Sequence, residues 1–170
     1  MAIKDFVAYL ELEKSYSKHT VVAYNIDLSE FLCFYVDNFD TTDLNQVQYV
    51  VIRGWIVSLS EGGISNRTIN RKIASLKAYY CFLQKTGNIS TYPLAKHKAL
   101  RVSKKIEIPF SELEMETVLS AIGYTNDFEG KRDQLMIHLL YATGIRRAEL
   151  INLKLSDVDF ETKSIKVLGK

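Results

Sequence analysis

Between Gly62 and Ile106 the chain contains no Asp or Glu. Other things are scarce as well. Two cysteines and three scattered histidines give no metal-ligand spacing, so no metal is expected. Cys33 and Cys81 fall inside apolar helical patterns, where a thiol reads as a small buried hydrophobe. The longest apolar run, Leu135–Ile145, is broken by His138 and is too short to span a bilayer. The opening MAIKDFVAYLELEK carries charges of both signs from its fourth residue on and does not read as a signal peptide. A cytoplasmic protein with reduced thiols and no membrane partner is the expectation. With 47% apolar and 25% charged residues the composition is that of a folded globular chain, long enough for one large domain or two small ones.

The missing acids divide the charge sharply. Residues 1–61 carry a net −5, residues 62–106 a net +10 and residues 107–170 a net −3, so the overall +2 conceals a basic band between acidic ends. The band holds Arg67, Arg71, Lys72, Lys77, Lys85, Lys96, Lys98, Arg101, Lys104 and Lys105. A concentration of one sign points to a polyanionic partner, of which nucleic acid is the commonest. A solvated helix face followed by a floppy linker accounts for the charge equally well.

Apolar spacing predicts four helices before the band ends. Ile3, Phe6, Val7 and Leu10 mark the first. The second starts at a Ser17 cap and runs to about Val36, with a stripe broad enough to meet more than one neighbour. A third begins near Gln48 and stops at Gly62-Gly63; a fourth follows Ser65 and ends at Gly87. On this last helix Ile69, Ile73, Leu76, Tyr80 and Leu83 share one face. The opposite face collects Arg67, Asn70, Arg71, Ala74, Lys77, Ala78 and Lys85. Arg and Asn can read base edges, Lys and Arg can hold phosphates, and alanines let a backbone approach. A solvated helix normally mixes Glu with its Lys, and here there is none.

Periodicity stops after Gly87. Residues 88–109, bounded by Pro93 and Pro109, read as an extended basic linker with a domain boundary in it, and His97 there as a polar residue without a chemical role. Residues 110–170 then form a second domain. Ser111 opens a capping box, Phe128–Thr143 is a strongly apolar helix ending at Gly144, and His138 reads as a core histidine on its flank. A short helix over 146–153 leads to S-D-V-D, read as an Asp-capped turn rather than a metal pair. Ser164–Leu168 alternates as the one convincing strand, and since a lone strand cannot satisfy its backbone groups, its partners are expected to be missing from this sequence, leaving an incomplete sheet.

Lys131–Leu150, KRDQLMIHLLYATGIRRAEL, closely resembles the first catalytic box of the tyrosine recombinases, the phage-integrase family that includes the Xer recombinases. Thr143, Gly144, Ile145, Arg146, Glu149 and Leu150 fill that box, and the family's active-site lysine falls on Lys170. Thr20, Tyr24, Asp27, Leu28 and Phe31 fit the family's second-helix signature.

The resemblance implies a mainly α chain. A four-helix SAM-like core-binding domain over 1–87 places its second and fourth helices in the major groove of double-stranded DNA. A basic linker over 88–109 crosses the duplex, and the helical start of a catalytic domain, with one strand of an incomplete sheet, covers 110–170. Family chemistry joins a tyrosine to the scissile 3′-phosphate and needs no cofactor. Arg146 is expected to clamp the non-bridging oxygens of the transition state, and Lys170 to protonate the leaving 5′-oxygen. Glu149 should order the surroundings of the guanidinium. Arg67, Asn70, Arg71, Lys77, Lys104 and Lys105 are the expected DNA contacts.

No tyrosine follows Tyr141 and no histidine follows His138, so the family's later His-x-x-Arg box and nucleophile are missing. The expectation is an N-terminal fragment, monomeric in solution, that binds DNA without cleaving it, from a protein that acts as a tetramer. The alternatives are a stand-alone truncated module that regulates a full-length recombinase, and a helical protein-interaction domain whose basic face is merely solvated.

Overall fold

The computed structural model describes residues 2–104, 106 and 108–167. The expected contacts Lys105 and Lys170 lie outside them. The chain divides into two compact units, Met1–Lys105 and Ile106–Lys170.

The first unit is a four-helix bundle of α1 (Ala2–Leu12), α2 (Lys18–Phe39), α3 (Tyr49–Glu61) and α4 (Asn66–Lys85). Ser17 caps α2 by accepting from the Thr20 amide, and Ser65 caps α4 by accepting from Thr68. Gly87 takes the left-handed backbone, φ 74°, that lets the chain leave α4. The broad stripe of α2 packs against α1, α3 and α4, as its width predicts. Phe6, Leu28, Phe31, Ile52, Trp55, Ile69, Leu76, Tyr80 and Leu83 fill the core. The Tyr80 hydroxyl donates to the Leu44 carbonyl at 3.1 Å, tying α4 to a 3-10 turn over Leu44–Gln46.

Residues 88–101 correct the expectation of an extended linker. Leu94 is 2% exposed, and Ile89, Tyr92 and Leu100 pack against the same core. This strap carries enough apolar area to dock, but its spacing follows neither helix nor strand, so periodicity missed it. The first unit accordingly runs well past Gly87. His97 also has a role here, since its Nδ1 lies 3.3 Å from the Tyr49 hydroxyl. Both cysteines are exposed rather than buried. They lie on the outer edges of helices whose apolar stripes they only flank.

The second unit comprises α5 (Glu112–Ala121), α6 (Phe128–Thr143), α7 (Arg147–Ile151) and a hairpin of β1 (Val158–Asp159) with β2 (Ser164–Ile165). The capping box at Ser111 forms, with Glu114 accepting from the Ser111 amide. The Ser164 strand has its partner within this sequence: Val158 pairs with Ile165 and Asp159 with Ser164, antiparallel. Asp159 also caps the intervening turn, accepting from the Glu161 and Thr162 amides, so it is turn and strand end at once. That double use hid β1. The apolar face of α6 is largely exposed, Leu135 at 60%, and His138 is exposed with it instead of lying in a core.

Candidate nucleic-acid interface

Helix α4 has two polar sides, and each is used differently. Its core-facing row includes Lys72 and Ser75 beside Ile69, Ile73, Leu76 and Tyr79. These two buried polar residues converge on Asp27 of α2, itself 1% exposed. Asp27 Oδ2 accepts from Ser75 Oγ at 2.7 Å and Oδ1 from Lys72 Nζ at 3.3 Å. Lys72 Nζ also donates to Glu30 of α2. From the rim of α4, Arg71 closes a two-pronged pair onto the same carboxylate, Nη1 to Oδ2 at 2.6 Å and Nη2 to Oδ1 at 2.8 Å.

Burial by itself raises the Asp27 carboxyl, yet hydrogen bonds from Arg71, Ser75 and Lys72 and the charge of Arg71 hold it below the ordinary carboxylate range. Asp27 therefore stays ionised at neutral pH. Two carboxylates and two cations form a balanced network between α2 and α4, so two of the band's ten bases are already countered by acids from outside it. The sequence carried this signal unread. Asp27 interrupts an apolar stripe, and Lys72 and Ser75 sit at core-facing spacings.

The other polar side of α4 meets the strap. Asn70 brackets Leu100, its Nδ2 donating to the Leu100 carbonyl and its Oδ1 accepting from the Leu100 amide, both at 2.9 Å. One turn earlier Asn66 Nδ2 donates to the Arg101 carbonyl at 2.8 Å. Asn70, expected to face DNA, thus spends its amide on the strap. The consequence for charge is direct: Arg101 is pinned beside the start of α4, where Arg67 is exposed. Farther along, His97 lies within reach of the Lys77 charge. Burial first and Lys77 second hold its imidazole below the ordinary value, and thus neutral at pH 7. Arg67 and Lys77 on α4 and Lys98 and Arg101 on the strap all belong to the acid-free stretch of the sequence, and the two asparagines hold the strap against the helix. Lys104 is exposed just beyond the strap.

In the second unit the TGIRRAEL turn is shaped by its own side chains. Thr143 Oγ1 donates to the Leu139 carbonyl at 2.6 Å and accepts from the Ile145 amide at 3.2 Å. Gly144 is left-handed, φ 64°, and its amide closes α6 onto Leu140. Arg146 then occupies the cap position of α7. Glu149 Oε2 accepts from the Arg146 amide at 2.9 Å and Oε1 from Arg146 Nη1 at 2.7 Å. These bonds, backbone first, hold the Glu149 carboxyl below its ordinary value. The Arg146 side chain is 70% exposed, so a fixed guanidinium presents its remaining donors to solvent. Leu150 is buried and anchors the helix behind it.

Among the described residues no group of His, Cys, Asp and Glu gathers as metal ligands would, and no helix is long and apolar enough to cross a membrane.

Residues 3–87 match the family described as phage integrase, N-terminal SAM-like domain, and residues 110–170 match the phage integrase family. The tyrosine recombinase XerC of Anoxybacillus flavithermus is 36% identical over 165 residues, covering 97% of this chain and 54% of that protein. XerC of Oceanobacillus iheyensis is 34% identical over 168 residues, covering 99% and 54%. The chain therefore spans about half the length of these relatives. Among solved structures, the Tn1549 transposon integrase in complex with circular intermediate DNA superposes with a TM-score of 0.73 at 25% identity, over 99% of this chain and 54% of that one. The turn at Arg146, the four-helix bundle and these matches lead to one conclusion: the chain belongs to the phage integrase family of tyrosine recombinases.

Proposed function

We propose that this chain is the DNA-gripping part of a site-specific recombinase, holding a duplex with its first unit and a scissile phosphate with Arg146 of its second. The observation that carries the reading is the bracket of Asn66 and Asn70 on the strap. It holds the Arg101 backbone, and with it the basic strap that carries Lys98, beside α4, which carries Arg67 and Lys77. Phosphate contacts by such cations fix a protein's position on DNA and release counterions. That the Tn1549 integrase is seen with DNA supports the same partner.

The chemistry follows from charge. Attack on a phosphodiester builds negative charge on the non-bridging oxygens, and a planar guanidinium offers two parallel donors to them. Glu149 holds Arg146 in place before substrate arrives, so little reorganisation is left for the reaction. Lys170 is assigned, by its place in the family's order, to protonate the leaving 5′-oxygen. No metal or nucleotide enters this scheme. The complete recombinase would act as a tetramer on DNA, and the 170-residue polypeptide is expected to be monomeric in solution.

The test is a salt titration of binding to a 30-bp mixed-sequence duplex, followed by fluorescence anisotropy. Affinity should fall steeply with salt, and Arg67→Ala and Arg101→Ala should each shallow the log–log slope by about one. A salt-independent affinity, or no change in either variant, would refute the reading. On a nicked suicide duplex the 170-residue polypeptide should form no covalent adduct; an adduct would overturn the order of catalytic residues used here.

A further inference from the structure

Arg71 is unusual among the basic residues of α4. Its side chain is half exposed, on the same rim as Arg67, yet its inner end is locked to a carboxylate that is almost wholly buried. A guanidinium has five N–H donors. Asp27 takes one from Nη1 and one from Nη2, and among the described residues nothing takes the other three. Asp27 cannot swing away, because Ser75 and Lys72 fill its remaining acceptor positions and Lys72 is held in turn by Glu30. A flexible surface arginine loses its rotamer freedom on binding, whereas one fixed in advance loses little.

We propose that Asp27 is a positioning residue that aims the outer edge of Arg71 at the duplex, making Arg71 a specificity contact and not one more mobile phosphate contact. The proposal rests on the DNA-binding reading above. It separates the surface into two classes. Arg67 and Arg101 sit in open solvent and supply attraction of any duplex. Arg71 presents a planar fork in a fixed direction, the geometry that a pair of acceptors on a base edge requires. Locked end-on, its free Nε edge would meet the ligand side-on. Lysine at position 71 would preserve the charge but lose the fork.

The test is a double-mutant cycle on DNA affinity. Duplexes are first selected from a randomised 30-bp pool with the unaltered chain, and binding of the best of them is compared with that of a mixed-sequence duplex. Arg71→Lys and Arg71→Ala should each lose about tenfold or more on the selected duplex and much less on the mixed one. Asp27→Asn should lose a similar factor in the Arg71 background but nothing further in the Arg71→Ala background, because it acts through Arg71. A purely structural role for Asp27 would give the same loss in both backgrounds and would overturn the proposal. Should Asp27→Asn fail to fold, Arg71→Lys decides alone, since its side chain is half exposed; wild-type affinity and selectivity in that variant would also overturn it. If the unaltered chain binds no duplex, the failure is of the DNA-binding reading itself.

Discussion

Asn70 is the residue whose replacement by alanine should most directly loosen the strap where it meets α4. As an exposed amide on a basic helix it reads as a base contact; in the structure both of its polar atoms are spent on the Leu100 backbone at 2.9 Å. Asn70→Ala deletes both bonds. Each such bond contributes about 0.5–1.5 kcal/mol net, and Leu100 is half-buried, so water replaces part of what is lost. The expected cost is about 1–2 kcal/mol, felt first where residues 98–101 leave α4 and less in the core, because Leu94 still anchors the strap. Native-state hydrogen exchange at the Leu100 amide reads this directly. Exchange there should quicken by about 5- to 30-fold, while amides in the middle of α4 change little. Duplex affinity should fall modestly and equally for all sequences, since Arg101 is no longer pinned. Unchanged exchange at Leu100 together with a lost sequence preference would refute the bracket and restore Asn70 as a base-reading residue.

Gly130 in α6 is packed so closely that an added Cβ would stand 2.0 Å from the Thr125 carbonyl oxygen. Gly130→Ala should therefore lower the stability of the second unit by about 1–3 kcal/mol despite alanine's better helix propensity; a raised melting temperature by circular dichroism would contradict the packing described. Asp27 gives a pH dependence with a definite sign. Its carboxyl is lower in the folded chain than in the unfolded one, so its contribution is complete above the ordinary value of about 3.9 and is lost as pH falls through the lower folded value. Urea midpoints measured from pH 6 to pH 2.5 should drop more steeply for the unaltered chain than for Asp27→Asn, and parallel curves would remove Asp27 from the acid response.

The sequence by itself determined the helices, because their signals are local. The serine caps at 17, 65 and 111, the glycines after α3, α4 and α6, and apolar residues at helical spacing each act within a few residues. The Arg146 turn was legible for the same reason, since Thr143 and Gly144 bond Leu139, Leu140 and Ile145, and Arg146 bonds Glu149, all within one short stretch of chain. What joins distant parts of the chain was decided by the tertiary structure alone. Asp27 meets Arg71, Lys72 and Ser75 across more than forty residues, and Asn70 meets Leu100 across thirty. No periodicity records such a pairing, because a side chain's hydrogen bonds depend on which surface is brought against it. The acid-free band was visible as composition. That two of its bases are neutralised from α2, and that its supposed linker folds back onto α4, follows from packing. Buried carboxylates and amides must find donors and acceptors wherever the bundle places them.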